Sequence, residues 1–212
     1  MFGMKAHIAA LEKNLSIEVI QVPYSAERGY TPKHPDVVRV NPKGQVPVLI
    51  HEGVEIFDST QIFEYLEDLA PLPALWPADR QSRAQARLLE HQSDEVFFPH
   101  IIRLMGLQQE LGGDAASAAI AAAGAYYVRM ERLLGENAFL AGSYSFADIA
   151  FTMAQVFAER MGAPLTNGTP RLLRWRATML RRPAVVGVLG PFADYLAANN
   201  RQVPAFLSAL RG

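Results

Sequence analysis

The chain has 212 residues, 50% of them hydrophobic, which is enough to bury a sizeable core in one or two domains. Its formal net charge of −1 predicts no overall attraction to nucleic acid or to an anionic membrane. The absence of cysteine excludes disulfides, thiolate metal sites and a cysteine nucleophile. With no secretory signal pattern and no apolar run of ~20 residues, a soluble cytoplasmic protein is the default expectation.

The first half of the chain predicts an α/β unit, because helical and strand-like apolar spacings alternate along it. Two β-rich runs separated by His51-Glu52-Gly53 predict a hairpin. In chain order, the predicted elements are a helix carrying Met4, Ile8, Leu11 and Leu15, a strand at 15–19, a loop at 23–34, a short helix at 35–40, hairpin strands at 46–50 and 54–57, and a helix carrying Ile62, Leu66 and Leu69.

This order of elements lacks a first strand. In α/β units, a strand that follows a helix usually pairs in parallel with a strand that precedes the helix. Here the helix begins almost at Met1, and no Ser, Thr, Asp or Asn precedes it to cap its free amides. We therefore expect that about ten residues, the length of a strand and a turn, are missing from the front.

A proline-rich segment, Pro71–Pro77, separates this half from the second, because three prolines at such density cannot continue a helix. Lysine occurs only before this segment, and the basic residues after it are all arginine. We predict a linker at 71–80 and helices throughout 81–212. The predicted helices are 81–111 with a kink at Pro99, 115–134 ended by Gly135 and Asn137, one that starts at Ser145–Asp148, 170–181 and 184–197.

The Val46-Pro47 bond lies in a predicted strand, where proline removes a ladder donor and belongs at an edge or a special turn. A cis bond would bend the chain so that the N–H and C=O of Val46 face outward and can pair with an extended peptide. An ordinary trans proline at a sheet edge is the commoner case, and the pair alone does not decide between them.

Asp58 and Ser59 begin a predicted helix, and Asp58 and Gln61 have capping-box spacing. A helix N-terminus can bind a ligand carboxylate, with the Ser59 hydroxyl as a further donor and Asp58 facing a ligand ammonium. Capping alone is the simpler interpretation of the pair. Lys33, in the loop before Asn41, either meets a second ligand carboxylate or is a solvated lysine.

Three other groups of residues have structural interpretations. Ser145 and Asp148 predict a capping box for a buried helix. A metal site is disfavoured for a second group, because its spacing is not that of HExxH and a proline interrupts the helix. This group consists of His91, Asp94, Glu95 and His100. Core packing is the stronger default over an apolar pocket for Phe97, Phe98, Ile101, Met105, Tyr126 and Tyr127.

Taken together, these motifs resemble the cytosolic glutathione S-transferase family, of bacterial type. The run Asn41-Pro42-x-Gly44-Gln45-Val46-Pro47-x-Leu49 is similar to the signature of its N-terminal domain. Asp58-Ser59 resembles its acid-serine pair, and Ser145–Asp148 resembles the capping box of its C-terminal domain. The resemblance implies a thioredoxin-like, glutathione-binding domain at 1–70 without its first strand, an all-α domain at 81–212, and a homodimer.

The resemblance also implies a set of ligand contacts to glutathione as co-substrate, with no metal. Val46 would pair main chain to main chain with the cysteinyl unit. Gln45, Asp58 and Ser59 would hold the γ-glutamyl end. Lys33 lies where some classes place a basic residue near the glycine carboxylate. The full set implied is Lys33, Gln45, Val46, Pro47, Asp58 and Ser59, with the Val46-Pro47 bond cis.

The chain departs from the family at its front. The family usually has a Ser, Tyr or Cys that hydrogen-bonds the glutathione sulfur and lowers its pKa, and the resemblance places that residue at or before Met1, or near Phe2. Neither side chain can donate a hydrogen bond, so the catalytic residue stays unknown. The hypotheses are a transferase that conjugates glutathione to a hydrophobic electrophile in detoxification, a related dehalogenase or isomerase, a non-catalytic binding protein, and a helical adaptor.

Overall fold

The computed structural model describes residues 1–22 and 28–211, so residues 23–27 of the predicted loop at 23–34 lie outside the described residues. The chain divides into two compact units, Phe2–Pro73 and Ala74–Gly212. Within the described residues, no helix is long and apolar enough to span a bilayer.

The first unit carries a short hairpin and three helices. In chain order these are α1 (Phe2–Glu12), α2 (Pro35–Val40), β1 (Val48–His51), β2 (Val54–Phe57) and α3 (Ser59–Leu69). The predicted short helix, hairpin and following helix are thereby confirmed, except that β1 begins at Val48, so that Val46 and Pro47, predicted to lie within the first strand, precede it. In the hairpin turn, Glu52 and Gly53 both have positive φ, 48° and 82°, as a two-residue turn that matches strand twist requires.

The two strands pair antiparallel, and none of their eight residues is fully buried. The core of this unit instead lies between α1 and α3, where Ile8 and Phe63 are completely buried. Lys5 is also fully buried, and its ammonium lies 5.3 Å from the ring centres of both Phe2 and Phe63. The predicted apolar face of α1 is therefore only partly right, since Leu11 is 36% exposed.

The predicted strand at 15–19 is wrong. Residues 15–22 form neither helix nor strand. Within the described part of the chain, the main chain of Ser16–Val22 has no hydrogen-bonded partner. The alternation of apolar and polar residues is strand-like, but a strand needs a neighbour that satisfies its N–H and C=O groups.

Lys13 binds the C-terminal end of α3 and the segment that follows this helix. Its side chain is fully buried, and its ammonium donates to the carbonyl oxygens of Ala70 at 2.7 Å and Pro73 at 3.1 Å. Glu67 completes the set as an ion pair at 2.6 Å. A cation at this position satisfies free carbonyls and complements the negative end of the helix dipole.

The second unit is helical. Its elements are α4 (Arg80–Gln92), a π-helical turn (Ser93–Phe97), α5 (Phe98–Gly106), α6 (Asp114–Leu134), α7 (Phe146–Arg160), α8 (Pro170–Met179), α9 (Pro183–Ala198) and α10 (Ala205–Ser208). The predicted helices at 115–134, 170–181 and 184–197 are confirmed within two residues at each end. The short α10 was not predicted.

The predicted helix at 81–111 is interrupted by the π-helical turn rather than simply kinked at Pro99. The Phe98 N–H donates to the Ser93 carbonyl, five residues back, so one extra residue is accommodated immediately before the proline. Pro99 then occupies the first turn of α5, where its missing N–H costs no hydrogen bond.

A polar network anchors α7 in the core, and the predicted capping box of Ser145 and Asp148 is confirmed. One carboxylate oxygen of the fully buried Asp148 accepts from the Ser145 N–H at 3.0 Å. The other accepts from the Leu140 N–H at 3.0 Å and from Trp175 Nε1 at 2.8 Å. Burial raises the pKa of Asp148 to about 6, against the opposing effect of these donors.

Helix α8 is capped from another helix. Its own N-cap residue, Thr169, forms no side-chain cap bond. Instead, the Glu131 carboxylate of α6 accepts from the N–H groups of Arg171 and Leu172, both at 2.9 Å. The Glu131 side chain is 10% exposed, whereas that of Glu136, which pairs with the Arg171 side chain at 2.8 Å, is 82% exposed.

The aromatic and aliphatic residues considered as a pocket lining belong mostly to the core. The rings of Phe97 and Tyr126 lie 4.9 Å apart, and those of Phe97 and Tyr127 lie 5.2 Å apart. Met105 is the exception, at 36% exposure. Among residues 1–22 and 28–211, no group of three His, Asp or Glu side chains is arranged to hold a metal ion, and His91, Asp94, Glu95 and His100 form none.

Candidate ligand-binding site

The turn between α2 and β1 is held by the side chain of Asn41. This residue is 4% exposed, and its Nδ2 donates to the Gln45 carbonyl at 2.7 Å while its Oδ1 accepts from the Lys43 N–H at 3.0 Å. Its own carbonyl accepts from the Gly44 N–H at 2.7 Å. Gly44 has φ +58°, a left-handed conformation that glycine adopts without strain.

Lys33 reaches the same turn from the preceding loop. Its ammonium donates to the Gly44 carbonyl, and a Cβ atom on Gly44 would lie only 3.0 Å from the Lys33 Nζ. Gly44 is thus needed both for its backbone conformation and for the approach of the lysine. The result is a positive charge fixed beside Gln45, whose side chain is exposed.

The Val46-Pro47 bond is cis, as the family resemblance implied. Val46 is half-buried, and within the described residues neither its N–H nor its C=O forms a hydrogen bond. One residue thus presents a donor and an acceptor without a partner, which is the arrangement that an added peptide strand uses.

The register of the hairpin places the cis bond and the start of α3 at the same end. Val48 pairs with Phe57 as the last pair of the ladder, so Pro47 precedes this pair and Asp58 follows it. Val46, Pro47, Asp58 and Ser59, predicted as site residues, therefore lie at one end of the hairpin.

Asp58 caps α3, as predicted, with one carboxylate oxygen. That oxygen accepts from the Thr60 N–H at 2.9 Å and from the Gln61 N–H at 3.4 Å. Its second oxygen has no hydrogen bond within the described residues, and the side chain is exposed. Asp58 holds φ at 76° and ψ at 131°, a strained conformation for a residue with a Cβ.

Ser59 is the first residue of α3 and is 2% exposed. It lies where the free amides and the positive end of the helix dipole are found. Beside this helix start, a depression of about 330 Å³ is lined by Glu55, Ile56, Phe57 and Gln61.

The N-terminus of α1 reaches the same end of the hairpin, a contact that sequence reasoning missed. A Cβ atom on Gly3 would lie 4.0 Å from the Cβ of Pro47. Residues 1–12 include no Ser, Thr, Asp or Asn, so α1 has no local capping residue of the preferred types among them. The absence of a capping residue was the signal available in the sequence.

Asn41 was also missed as an individual residue. It was part of the motif that carried the family resemblance, but its side-chain role was not predicted. A buried asparagine before Pro-x-Gly is the available signal, because its amide can satisfy the main chain of the turn that follows.

Comparison with known proteins agrees with this arrangement. Residues 1–69 match the sequence profile of the family described as glutathione S-transferase, N-terminal domain. Over 193 residues, the chain is 31% identical to the probable glutathione S-transferase parC of Nicotiana tabacum, covering 87% of this chain and 83% of that protein.

Two solved structures share the fold. The tau class glutathione S-transferase of mango, Mangifera indica, superposes with a TM-score of 0.73 at 27% identity, covering 92% of this chain and 93% of that one. The theta class enzyme of Xanthomonas axonopodis pv. citri, described with glutathione bound, gives 0.73 at 23% identity, covering 87% and 89%. The fold is a thioredoxin-like N-terminal domain followed by a helical C-terminal domain, and the chain belongs to the glutathione S-transferase family.

Proposed function

We propose that this protein binds glutathione at the end of the hairpin and transfers its thiolate to a small hydrophobic electrophile. The observation that carries the proposal is Val46, whose N–H and C=O both lack a partner within the described residues. An extended peptide can form two main-chain hydrogen bonds there, and in glutathione the central cysteinyl unit has the matching groups.

The charges around Val46 complement the two ends of the same tripeptide. The free oxygen of Asp58 suits the γ-glutamyl ammonium, while the start of α3 and the Ser59 hydroxyl suit the neighbouring carboxylate. Gln45 adds an exposed amide at this end. Lys33, fixed over Gly44, suits the glycine carboxylate. The family membership supports this assignment, as does the glutathione described in the Xanthomonas structure.

In the proposed reaction the glutathione thiol loses its proton to solvent and the thiolate attacks an electrophilic carbon. A sulfur–carbon bond forms, and the bond to the leaving group breaks with its electron pair. The cysteinyl sulfur would lie near Pro47, and hence near Gly3 in the first turn of α1. Positive partial charge at a helix start favours the thiolate.

A non-catalytic ligand-binding role is the alternative, and one specific observation favours it. Residues 1–12 contain no hydroxyl or thiol side chain to hydrogen-bond the glutathione sulfur. The two roles share the same binding site and differ only in turnover. A homodimeric assembly, a cytoplasmic location and a role in detoxification belong to the transferase proposal and rest on the family resemblance.

The proposal is tested by titration calorimetry with glutathione and with cysteinylglycine, which lacks the γ-glutamyl end. Wild-type protein should bind glutathione, and cysteinylglycine should bind at least tenfold more weakly, because it loses the charged contacts. Ser59→Ala should weaken glutathione binding, whereas the exposed helical Ser117→Ala should not.

Turnover is then measured with an activated aryl halide as electrophile. Conjugation above the rate in buffer supports the transferase, and binding without conjugation supports the non-catalytic alternative. Absence of glutathione binding to the wild-type protein at millimolar concentration would refute both.

A further inference from the structure

We propose that Asn41 is a positioning residue for the peptide ligand: it orients the Val46 N–H through the peptide group that Val46 shares with Gln45. This inference rests on the proposed function, because it assigns the device that aims one of the two main-chain contacts to glutathione. It begins from the 2.7 Å hydrogen bond between the Asn41 Nδ2 and the Gln45 carbonyl.

The Gln45 carbonyl and the Val46 N–H belong to one peptide group. A peptide group is planar, and in its trans form the C=O and N–H point in opposite directions. The bond from Gln45 to Val46 is not among the cis bonds of the described residues. Holding the Gln45 oxygen toward the buried Asn41 therefore points the Val46 N–H the other way, away from the turn.

The hold on this peptide group is firm, because Asn41 is itself fixed at several points. Its side chain is 4% exposed, its Oδ1 accepts from the Lys43 N–H, and its own N–H donates to the Val37 carbonyl at 3.0 Å. A donor on the carbonyl side of a peptide group also polarises its N–H and makes it a better donor. Asn41 thus affects both the direction and the strength of the Val46 donor.

The deciding variant is Asn41→Asp, which is nearly the same shape and keeps the acceptor for Lys43 but loses the donor to Gln45. The matched control is Asn199→Asp, since Asn199 Nδ2 donates to the Tyr195 carbonyl at 2.8 Å in the C-terminal unit. Two readouts are measured on folded protein, with circular dichroism as the check of folding. They are the dissociation constant for glutathione and the Val46 amide resonance, observed by selective ¹⁵N-valine labelling.

We expect Asn41→Asp to weaken glutathione binding about fivefold to tenfold, the usual effect of one hydrogen bond. The shift of the Val46 amide resonance on adding glutathione should be lost in this variant and retained in Asn199→Asp. A role confined to stability would not remove that shift from folded protein. Binding within twofold of wild type, with the Val46 shift intact, would overturn the inference and leave the proposed function standing.

If Asn41→Asp does not fold, Asn41→Ala replaces it, because alanine introduces no charge beside the Gln45 carbonyl. If neither variant folds, Asn41 serves the fold alone and the inference is wrong. If wild-type protein does not bind glutathione, the proposed function fails first and takes the inference with it.

Discussion

Replacing Asp58 separates the stability of the hairpin end from its function. The residue is strained at φ 76°, which costs about 1 to 3 kcal/mol for a residue with a Cβ, and it caps α3 through one oxygen. Asp58→Gly removes the strain and loses only a few tenths of a kcal/mol as a cap. Asp58→Ala keeps the strain and loses about 1 kcal/mol of capping. Asp58→Asn keeps the cap and removes the charge.

We therefore expect Asp58→Gly to have the highest free energy of unfolding and Asp58→Ala the lowest. Asp58→Asn should lie between them, close to wild type. The Gly and Ala variants should differ by about 2 to 4 kcal/mol, as measured by urea unfolding. Affinity for glutathione should fall tenfold to hundredfold in all three variants, since each loses a charge-assisted contact worth about 1.5 to 3 kcal/mol. The most stable variant is thus expected to bind poorly.

Two results would refute this reasoning separately. If Asp58→Asn binds glutathione within twofold of wild type, the carboxylate does not meet the ligand ammonium. If Asp58→Gly is no more stable than Asp58→Ala, the strain inferred from the backbone angles is not present in solution.

Three further predictions concern charged groups that stabilise each unit from within. Glu131→Ala should lower the free energy of unfolding, measured in urea, by about 3 kcal/mol, because two charge-assisted bonds to the start of α8 are lost. Glu136 pairs with the exposed side chain of Arg171, so Glu136→Ala should change this free energy by less than about 0.5 kcal/mol. The pKa of Asp148 is raised from 3.8 to about 6, so the native state holds this proton more tightly than the unfolded state. The free energy of unfolding should therefore fall by up to about 3 kcal/mol as the pH rises from 4 to 6. Urea titrations at a series of pH values measure this decline, and Asp148→Asn should remove it. Lys13→Met should cost about 2 to 4 kcal/mol and speed amide exchange at the end of α3, and an unchanged exchange rate would contradict the assigned contacts.

The hairpin was predictable because its determinants are local. Glu52-Gly53 supplies a two-residue turn with positive φ at both positions, and the flanking runs are rich in β-branched and aromatic residues. Local chemistry also identified Asp58 as a cap and Ser145–Asp148 as a capping box. In each case a side chain bonds the main chain two or three residues away, so sequence spacing alone contains the information.

The wrong predictions share a different cause, which is dependence on a distant partner. Residues 15–19 have strand spacing, but no partner strand is hydrogen-bonded to them in the described structure. Lys5 was not predicted to be buried, because its burial depends on the ring of Phe63, far along the chain. Leu11 was assigned to the apolar face of α1 and is 36% exposed, whereas the small residues Ala9 and Ala10 are buried.

The candidate site falls between these two cases. Its residues were identified from the motif, but their proximity follows from the pairing of Val48 with Phe57, a register that only the folded hairpin defines. Asn41 illustrates the remaining gap. Its place in the motif was visible, whereas its bond to the Gln45 carbonyl, and the consequence for Val46, needed coordinates.

Binding and catalysis rest on different parts of this site, and their expected strengths differ. In the proposed site, glutathione affinity would draw on main-chain pairing at Val46 and on charges at Lys33 and Asp58, each a contact of about 1 kcal/mol or more. In the proposed reaction, the start of α1 would favour the thiolate, and a helix terminus contributes only about 0.3 to 1 kcal/mol. That is less than one pKa unit. A thiol with a pKa near 8.5 would then be at most about fivefold richer in thiolate at pH 7, still mostly protonated. In the proposed reaction, the start of α1 is therefore expected to contribute less to sulfur transfer than the contacts of Val46, Lys33 and Asp58 contribute to glutathione binding.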